Sequence, residues 1–211
     1  MAREIDYAAK DIVVRRFVLP ECLHVPIAAE DEVAIAKYIG EITTILVTGT
    51  PNKAFVVMID PPHPPDSCLP IWKIPESAVL FERMQVWVHV GFNGYRRAYK
   101  KAQAAGNISN KVLSHCMNRR HAELKGFQYV RIVPAARSTN SSSAFSEEWG
   151  IGVSGKSKEL SSIRQQRARI QYADLVDLMV MMDRKVGGGV MEIVNEAQKL
   201  ITPIANHRIH K

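Results

Sequence analysis

Residues Ser109–Ser146 combine a predicted helix, a predicted strand and a polar loop in one stretch, SNKVLSHCMNRRHAELKGFQYVRIVPAARSTNSSSAFS. Its first half predicts a helix, because Val112 and later apolar residues recur at three- and four-residue steps and Gly126 follows as a stop signal. Phe127–Val133 then predicts a strand that stops at Pro134. A loop of small polar residues comes next. Arginine, histidine and asparagine are spread along these pieces, which favours a function that involves an anion.

The predicted helix carries one histidine close to two arginines. The charges of Arg119 and Arg120 lower the proton affinity of His115, so this imidazole is expected to be neutral at pH 7 and available as a general base. The two guanidinium groups can also hold a phosphate through bidentate hydrogen bonds. Two other interpretations stay open: phosphate binding without catalysis, and a structural role in which His115 bonds a nearby backbone group.

The segments VLSHCMNRR, GFQYVRIVP and STNSSS together resemble the cores of HNH-type nucleases found at the ends of bacterial polymorphic toxins. The resemblance implies a nuclease that binds one divalent ion, Mg²⁺ or Mn²⁺, beside the scissile phosphate. It also implies that His115 is the general base and Asn140 the orienting residue. In that family the histidine lies at a strand end and a further His or Asn completes the metal site, whereas this sequence has no histidine between His121 and His207.

The loop after the predicted strand, RSTNSSS (Arg137–Ser143), is rich in short hydroxyl and amide side chains. Such side chains turn the backbone and present hydrogen-bond donors, so the loop can bind phosphate. An ordinary connection between two elements is the alternative.

The net charge of +7 is distributed unevenly along the chain. Residues 1–82 contain 7 Lys and Arg against 12 Asp and Glu, a net charge of −5. Residues 83–137 contain 11 against 1, a net charge of +10, and residues 138–211 contain 10 against 8. A basic segment whose only acid is Glu123 lacks the internal partners of an ordinary solvated surface, which favours a polyanionic partner. Nucleic acid is favoured over an anionic membrane, because aromatic residues are interleaved with the basic ones.

The most basic piece, Tyr95–Ala105, predicts a helix with the sequence YRRAYKKAQAA. Its two tyrosines lie four residues apart, so they either pack on the core or stack on bases beside phosphate contacts. We predict that eight cations contact nucleic acid: Arg96, Arg97, Lys100, Lys101, Arg119, Arg120, Arg131 and Arg137.

Composition is that of a globular protein, with 46% apolar and 23% charged residues. No run reaches the about 18 apolar residues of a membrane helix, and the N-terminus lacks a signal-peptide pattern, so we expect a cytoplasmic protein without membrane contact. Cys22, Cys68 and Cys116 are odd in number and form no CxxC pair, which argues against a disulfide framework and a cysteine zinc site.

The predicted fold class is α+β, with a β-rich N-terminal part and a mostly helical C-terminal part. Residues 1–60 form the acidic part, in which Ile42–Thr48 and Ala54–Ile59 predict a hairpin. Residues 61–76 are a proline-rich linker or loop, and residues 77–211 the basic functional part. One compact domain is the alternative. Ser77–Val90 fits a helix or a strand, and Gln171–Lys185 predicts an amphipathic helix.

These patterns predict a cytoplasmic nucleic-acid-binding protein, with a metal-assisted nuclease or toxin as its catalytic version. One alternative is a coat or nucleocapsid-like protein that packages nucleic acid as a homo-oligomer. Another is an adaptor whose basic face meets an acidic protein. DNA and RNA are both candidate partners.

Overall fold

A computed structural model describes residues 6, 13–14, 17–19, 21–49, 53–60, 69–102, 110–137, 168–184, 195–196 and 199. Its centre is one curled antiparallel sheet flanked by short helices, which agrees with the predicted mixed α and β class. None of the helices that the structure describes has the length and apolar content needed to cross a membrane.

The strands and helices are short. The strands are β1 (Val13–Val14), β2 (Phe17–Val18), β3 (Pro26–Ala29), β4 (Glu41–Val47), β5 (Ala54–Met58), β6 (Met84–His89), β7 (Val112–His115), β8 (Tyr129–Ala135) and β9 (Ile170–Tyr172). The α-helices are α1 (Glu32–Ala34), α2 (Leu69–Trp72), α3 (Tyr95–Ala102), α4 (Arg119–Leu124) and α5 (Leu175–Met181). A π-helix, Ile35–Ile39, continues α1, and 3-10 helices span Glu21–Leu23 and Pro75–Phe81.

The main sheet has the order β4-β5-β6-β8-β3-β9, and β7 pairs with the far end of β8. Strand β8 lies between β6 and β3, so strands from the acidic part and from the basic part share one sheet. Residues 77–184 contribute four of these strands, β6 to β9. The mainly helical character predicted for residues 77–211 therefore stays a prediction, since residues 103–109, 138–167 and most of 185–211 lie outside the described residues.

Several predicted elements are confirmed. The hairpin is formed by β4 and β5, paired antiparallel from Glu41↔Met58 to Val47↔Ala54. The basic helix is α3, and Ser77–Val90 contains both alternatives, a 3-10 helix followed by β6. The C-terminal amphipathic pattern yields β9 and then α5, whose methionines are buried in the core.

The predicted helix across Val112–Leu124 is wrong in its first half. Val112–His115 is the strand β7, which pairs with β8 through His115↔Ile132 and buries Leu113. The backbone hydrogen bonds to β8 therefore decide the conformation of these four residues, and the helical spacing of Val112 and Leu113 with later apolar residues does not. The helix starts later, at α4, because Asn118 accepts hydrogen bonds from the backbone N–H groups of its first turn.

The predicted strand Phe127–Val133 exists as β8 but does not stop at Pro134. The N–H of Cys116 donates to the carbonyl of Arg131, so the backbone polar groups of Arg131 point toward β7. Successive residues of a strand point these groups to opposite sides, so those of Pro134, three residues later, point toward β6. The pairing of β6 with β8 reaches only as far as Ile132. The N–H that proline lacks would therefore face an unpaired edge, where proline is tolerated.

Cysteine chemistry also differs from the expectation. Cys22 is disulfide-bonded, and Cys116 is a free thiol. Disulfides persist mainly in oxidising compartments, so the disulfide at Cys22 counts against the expected cytoplasmic location.

Candidate nucleic-acid interface

Helix α3 is amphipathic, and its basic residues share one side. At 100° per residue, Arg96, Arg97, Lys100 and Lys101 fall within an arc of about 140°. All four are exposed, whereas Ala98 and Tyr99, on the opposite side, are buried. Burial of the apolar side against the sheet therefore presents the four cations to solvent together.

Most of these cations have no acidic partner. Among the described residues, no hydrogen bond or ion pair engages the side chains of Arg97, Lys100 or Arg120. Lys101 donates only to the carbonyl of Leu46, at 3.3 Å. Exposed charges that lack internal partners keep their full capacity to bind an external anion.

The start of α3 contacts the end of β7 through aromatic rings. The Tyr95 and His115 ring centroids are 4.4 Å apart with planes at 59°. The Arg96 guanidinium carbon lies 5.0 Å from the Tyr95 ring centroid, a cation–π distance. Tyr95 thus contacts both Arg96 and His115 and is half-buried, whereas Tyr99 is buried in the core and cannot stack on a base.

A second link joins α4 to the turn before α3. Arg119 donates from Nη1 to Oδ1 of Asn93 at 2.8 Å and to the carbonyl of Val90 at 3.5 Å. Since Arg120 follows on the exposed side of α4, the two helix starts bring four arginines into one region. We call the set Arg96, Arg97, Lys100, Lys101, Arg119 and Arg120 the basic face.

His115 is neutral at pH 7, as predicted, but for a different main reason. Burial lowers its pKa to about 4, and the charges of Arg119 and Arg96 add to this. Arg120, which the sequence had suggested, is not among the causes. Nε2 of His115 is buried and has no hydrogen-bond partner in the part of the chain that the structure describes. A base with this pKa and an inaccessible nitrogen is poorly matched to catalysis at pH 7.

Two of the eight predicted contact residues lie elsewhere, and the predicted orienting residue cannot be placed. The prediction that Arg131 contacts nucleic acid is wrong. Its side chain is 0% exposed and Nη2 donates to the carbonyl of Val79 at 2.5 Å, so it cannot reach nucleic acid. Trp87, its cross-strand partner on β6, is also 0% exposed, so both side chains lie in the core. Arg137 is exposed just after β8. Asn140 and the loop 138–146 lie outside the described residues.

The predicted metal ion has no ligand set in the described ranges. No group of three His, Cys, Asp or Glu side chains there is arranged to hold one. Comparison of the chain with family models, curated proteins and solved structures gives no match.

Asn93 belongs to the site but is not among the residues predicted from the sequence. The sequence does indicate a turn there, because Asn93 and Gly94 directly precede the basic helix. Only the contact with Arg119, 26 residues away, shows what the Asn93 side chain does.

Proposed function

We propose that the protein binds nucleic acid through phosphate contacts made by the basic face. The observation that supports this best is the arrangement on α3, where four exposed cations share one side and two of them, Arg97 and Lys100, have no polar partner among the described residues. Exposed arginine and lysine side chains bind phosphates without reading bases. Cytoplasmic location is a separate proposal, against which the disulfide at Cys22 counts, and fractionation of cells that express the tagged chain tests it.

Binding is better supported than cleavage. The candidate base, His115, has a lowered pKa and a buried Nε2, and the described residues contain no metal-ligand cluster. His115 does lie at the end of a strand, the position that the resemblance to HNH-type nucleases implies. This one shared feature supports a nuclease less strongly than the charge distribution supports nucleic-acid binding.

The test is the salt dependence of binding to a labelled DNA duplex and a labelled RNA of equal length, measured by fluorescence anisotropy. Affinity should fall steeply between about 0.05 and about 0.3 M salt, because bound counterions are released. Replacing Arg96, Arg97, Lys100 and Lys101 by Ala should lower the slope of log K against log salt by about 2 to 4. Salt-independent binding, or none, would remove the proposal.

A matched pair of variants separates the basic face from net charge. The double variant Arg97→Ala/Lys100→Ala removes two cations from α3, and Lys37→Ala/Lys73→Ala removes two exposed cations from other elements. Only the first should lower the slope, by about 2. If both lower it equally, binding depends on net charge and the assigned face is wrong.

The same reagents distinguish the rival functions. Incubation with plasmid DNA and RNA in Mg²⁺, Mn²⁺ or EDTA detects the nuclease version as metal-dependent cleavage. An adaptor for an acidic protein should show no nucleic-acid affinity, and a coat-like protein should elute as a large assembly.

A further inference from the structure

Strand β4 forms an open edge of the main sheet. In the described part of the chain it pairs with β5 alone. Glu41, Thr43, Thr44 and Ile45 along it are exposed, and Ile45 is 54% exposed, which is unusual for a large aliphatic side chain. An edge of this kind presents unpaired backbone N–H and C=O groups to another strand.

The sequence of β4, EITTILV, has few of the features that protect sheet edges. It contains five β-branched residues, no proline and one charge, which lies at its first position. Register shifts against β5 fall at Thr43 and Leu46, and Lys101 covers the carbonyl of Leu46. The middle of the strand, around Thr44, is left without a charge.

The charges around the edge are self-complementary. An antiparallel two-fold pairing that uses all seven residues is centred on Thr44 and places Glu41 opposite Val47. Lys101 lies at that same end, on the carbonyl of Leu46. In such a pair each copy's Lys101 lies beside Glu41 of the partner subunit, and no like charges are paired along the two strands.

We infer that β4 pairs with β4 of a second copy of this chain, which joins two sheets into one across a two-fold axis. The inference does not depend on the proposed nucleic-acid binding. One strand pair buries little surface, so the dimer should form in a concentration-dependent way.

Light scattering coupled to size exclusion tests this on the full chain between about 5 and about 200 µM, without nucleic acid. The mass should rise from 23.6 kDa toward twice that value. Ile45→Lys should keep it at the monomer value, because it places a charge at the centre of the pair. Val33→Lys changes a residue that is 65% exposed on α1, and it should leave the dimer unchanged. A monomeric parent protein, or an Ile45→Lys dimer, would overturn the inference.

Charge exchange tests the register. Glu41→Lys and Lys101→Glu should each weaken the dimer, and the double variant should restore it. Circular dichroism of each variant separates a lost interface from a lost fold. If the double variant stays monomeric while folded, the pairing centred on Thr44 is wrong.

Discussion

Arg119 donates a 2.8 Å hydrogen bond from Nη1 to Oδ1 of Asn93 and so ties α4 to the turn that precedes α3. Asn93→Ala removes this link without removing a charge. We expect weaker nucleic-acid binding with an unchanged salt slope, because the phosphate contacts remain but their geometry is lost. Arg119→Ala should also lower the slope, by about 0.9 on duplex DNA. Equal slopes for the two variants would mean that Arg119 only positions its neighbours.

Arg97 lies in the first turn of α3, where the helix dipole disfavours a cation. Arg97→Glu should therefore raise the free energy of unfolding by about 0.3 to 1 kcal/mol, since an acid is favoured there. The same change should weaken nucleic-acid binding and lower the salt slope by about 1. Urea denaturation and anisotropy on one protein preparation measure both effects. A loss of stability would show that Arg97 has a structural role.

His115 should make stability depend on pH. Its pKa falls from 6.5 in the unfolded chain to about 4 in the folded protein, so the unfolded state binds more protons between these values. Stability is therefore fully present above pH 6.5 and is lost as the pH falls toward 4. His115→Phe keeps a ring against Tyr95 and should reduce the difference in unfolding free energy between pH 7 and pH 5.

A second histidine allows the assignment to be checked. The pKa of His121 is also lowered to about 4, by burial and then by Lys125. His121→Phe should remove a further part of the pH dependence, and the double variant should remove more than either change alone. An unaltered pH dependence in the double variant would assign it to other groups.

Arg131 is a buried cation with incomplete pairing. Its Nε and Nη1 atoms have no hydrogen-bond partner in the described structure, and Glu82 lies 3.4 Å from Nη2. Because the charge of Arg131 is poorly compensated, the volume of its side chain should contribute more to stability than its charge does. Arg131→Ala should lower the free energy of unfolding by about 2 to 5 kcal/mol, through loss of packing in the core.

Arg131→Met is the matched control, because it keeps an unbranched side chain while removing the charge. We expect it to cost less than Arg131→Ala, since it keeps most of the buried volume and the Glu82 side chain, which is 33% exposed, can be solvated without its partner. Thermal and urea denaturation compare the two variants. Equal losses for Ala and Met would show that the contact with the carbonyl of Val79 stabilises the fold.

Patterns within one element were predicted correctly from the sequence. The β4–β5 hairpin and helix α3 follow from alternation, turn residues and a 3.6-residue period, which are local properties of the chain. The uneven charge of residues 83–137 likewise required no coordinates. Local spacing also led to the error at β7, because the four residues Val112–His115 are too few to distinguish a helix from a strand and their partner, β8, lies further along the chain.

Placement of individual side chains depended on the tertiary structure. Arg96 and Arg131 look alike in the sequence, yet one is exposed on α3 and the other is 0% exposed between strands. His115 owes its low pKa mainly to burial against residues such as Tyr95, twenty positions earlier. The sequence by itself determined that this chain carries a basic segment with few acids. Only the packing of the sheet decided which of those cations are exposed to solvent and can therefore bind an anion.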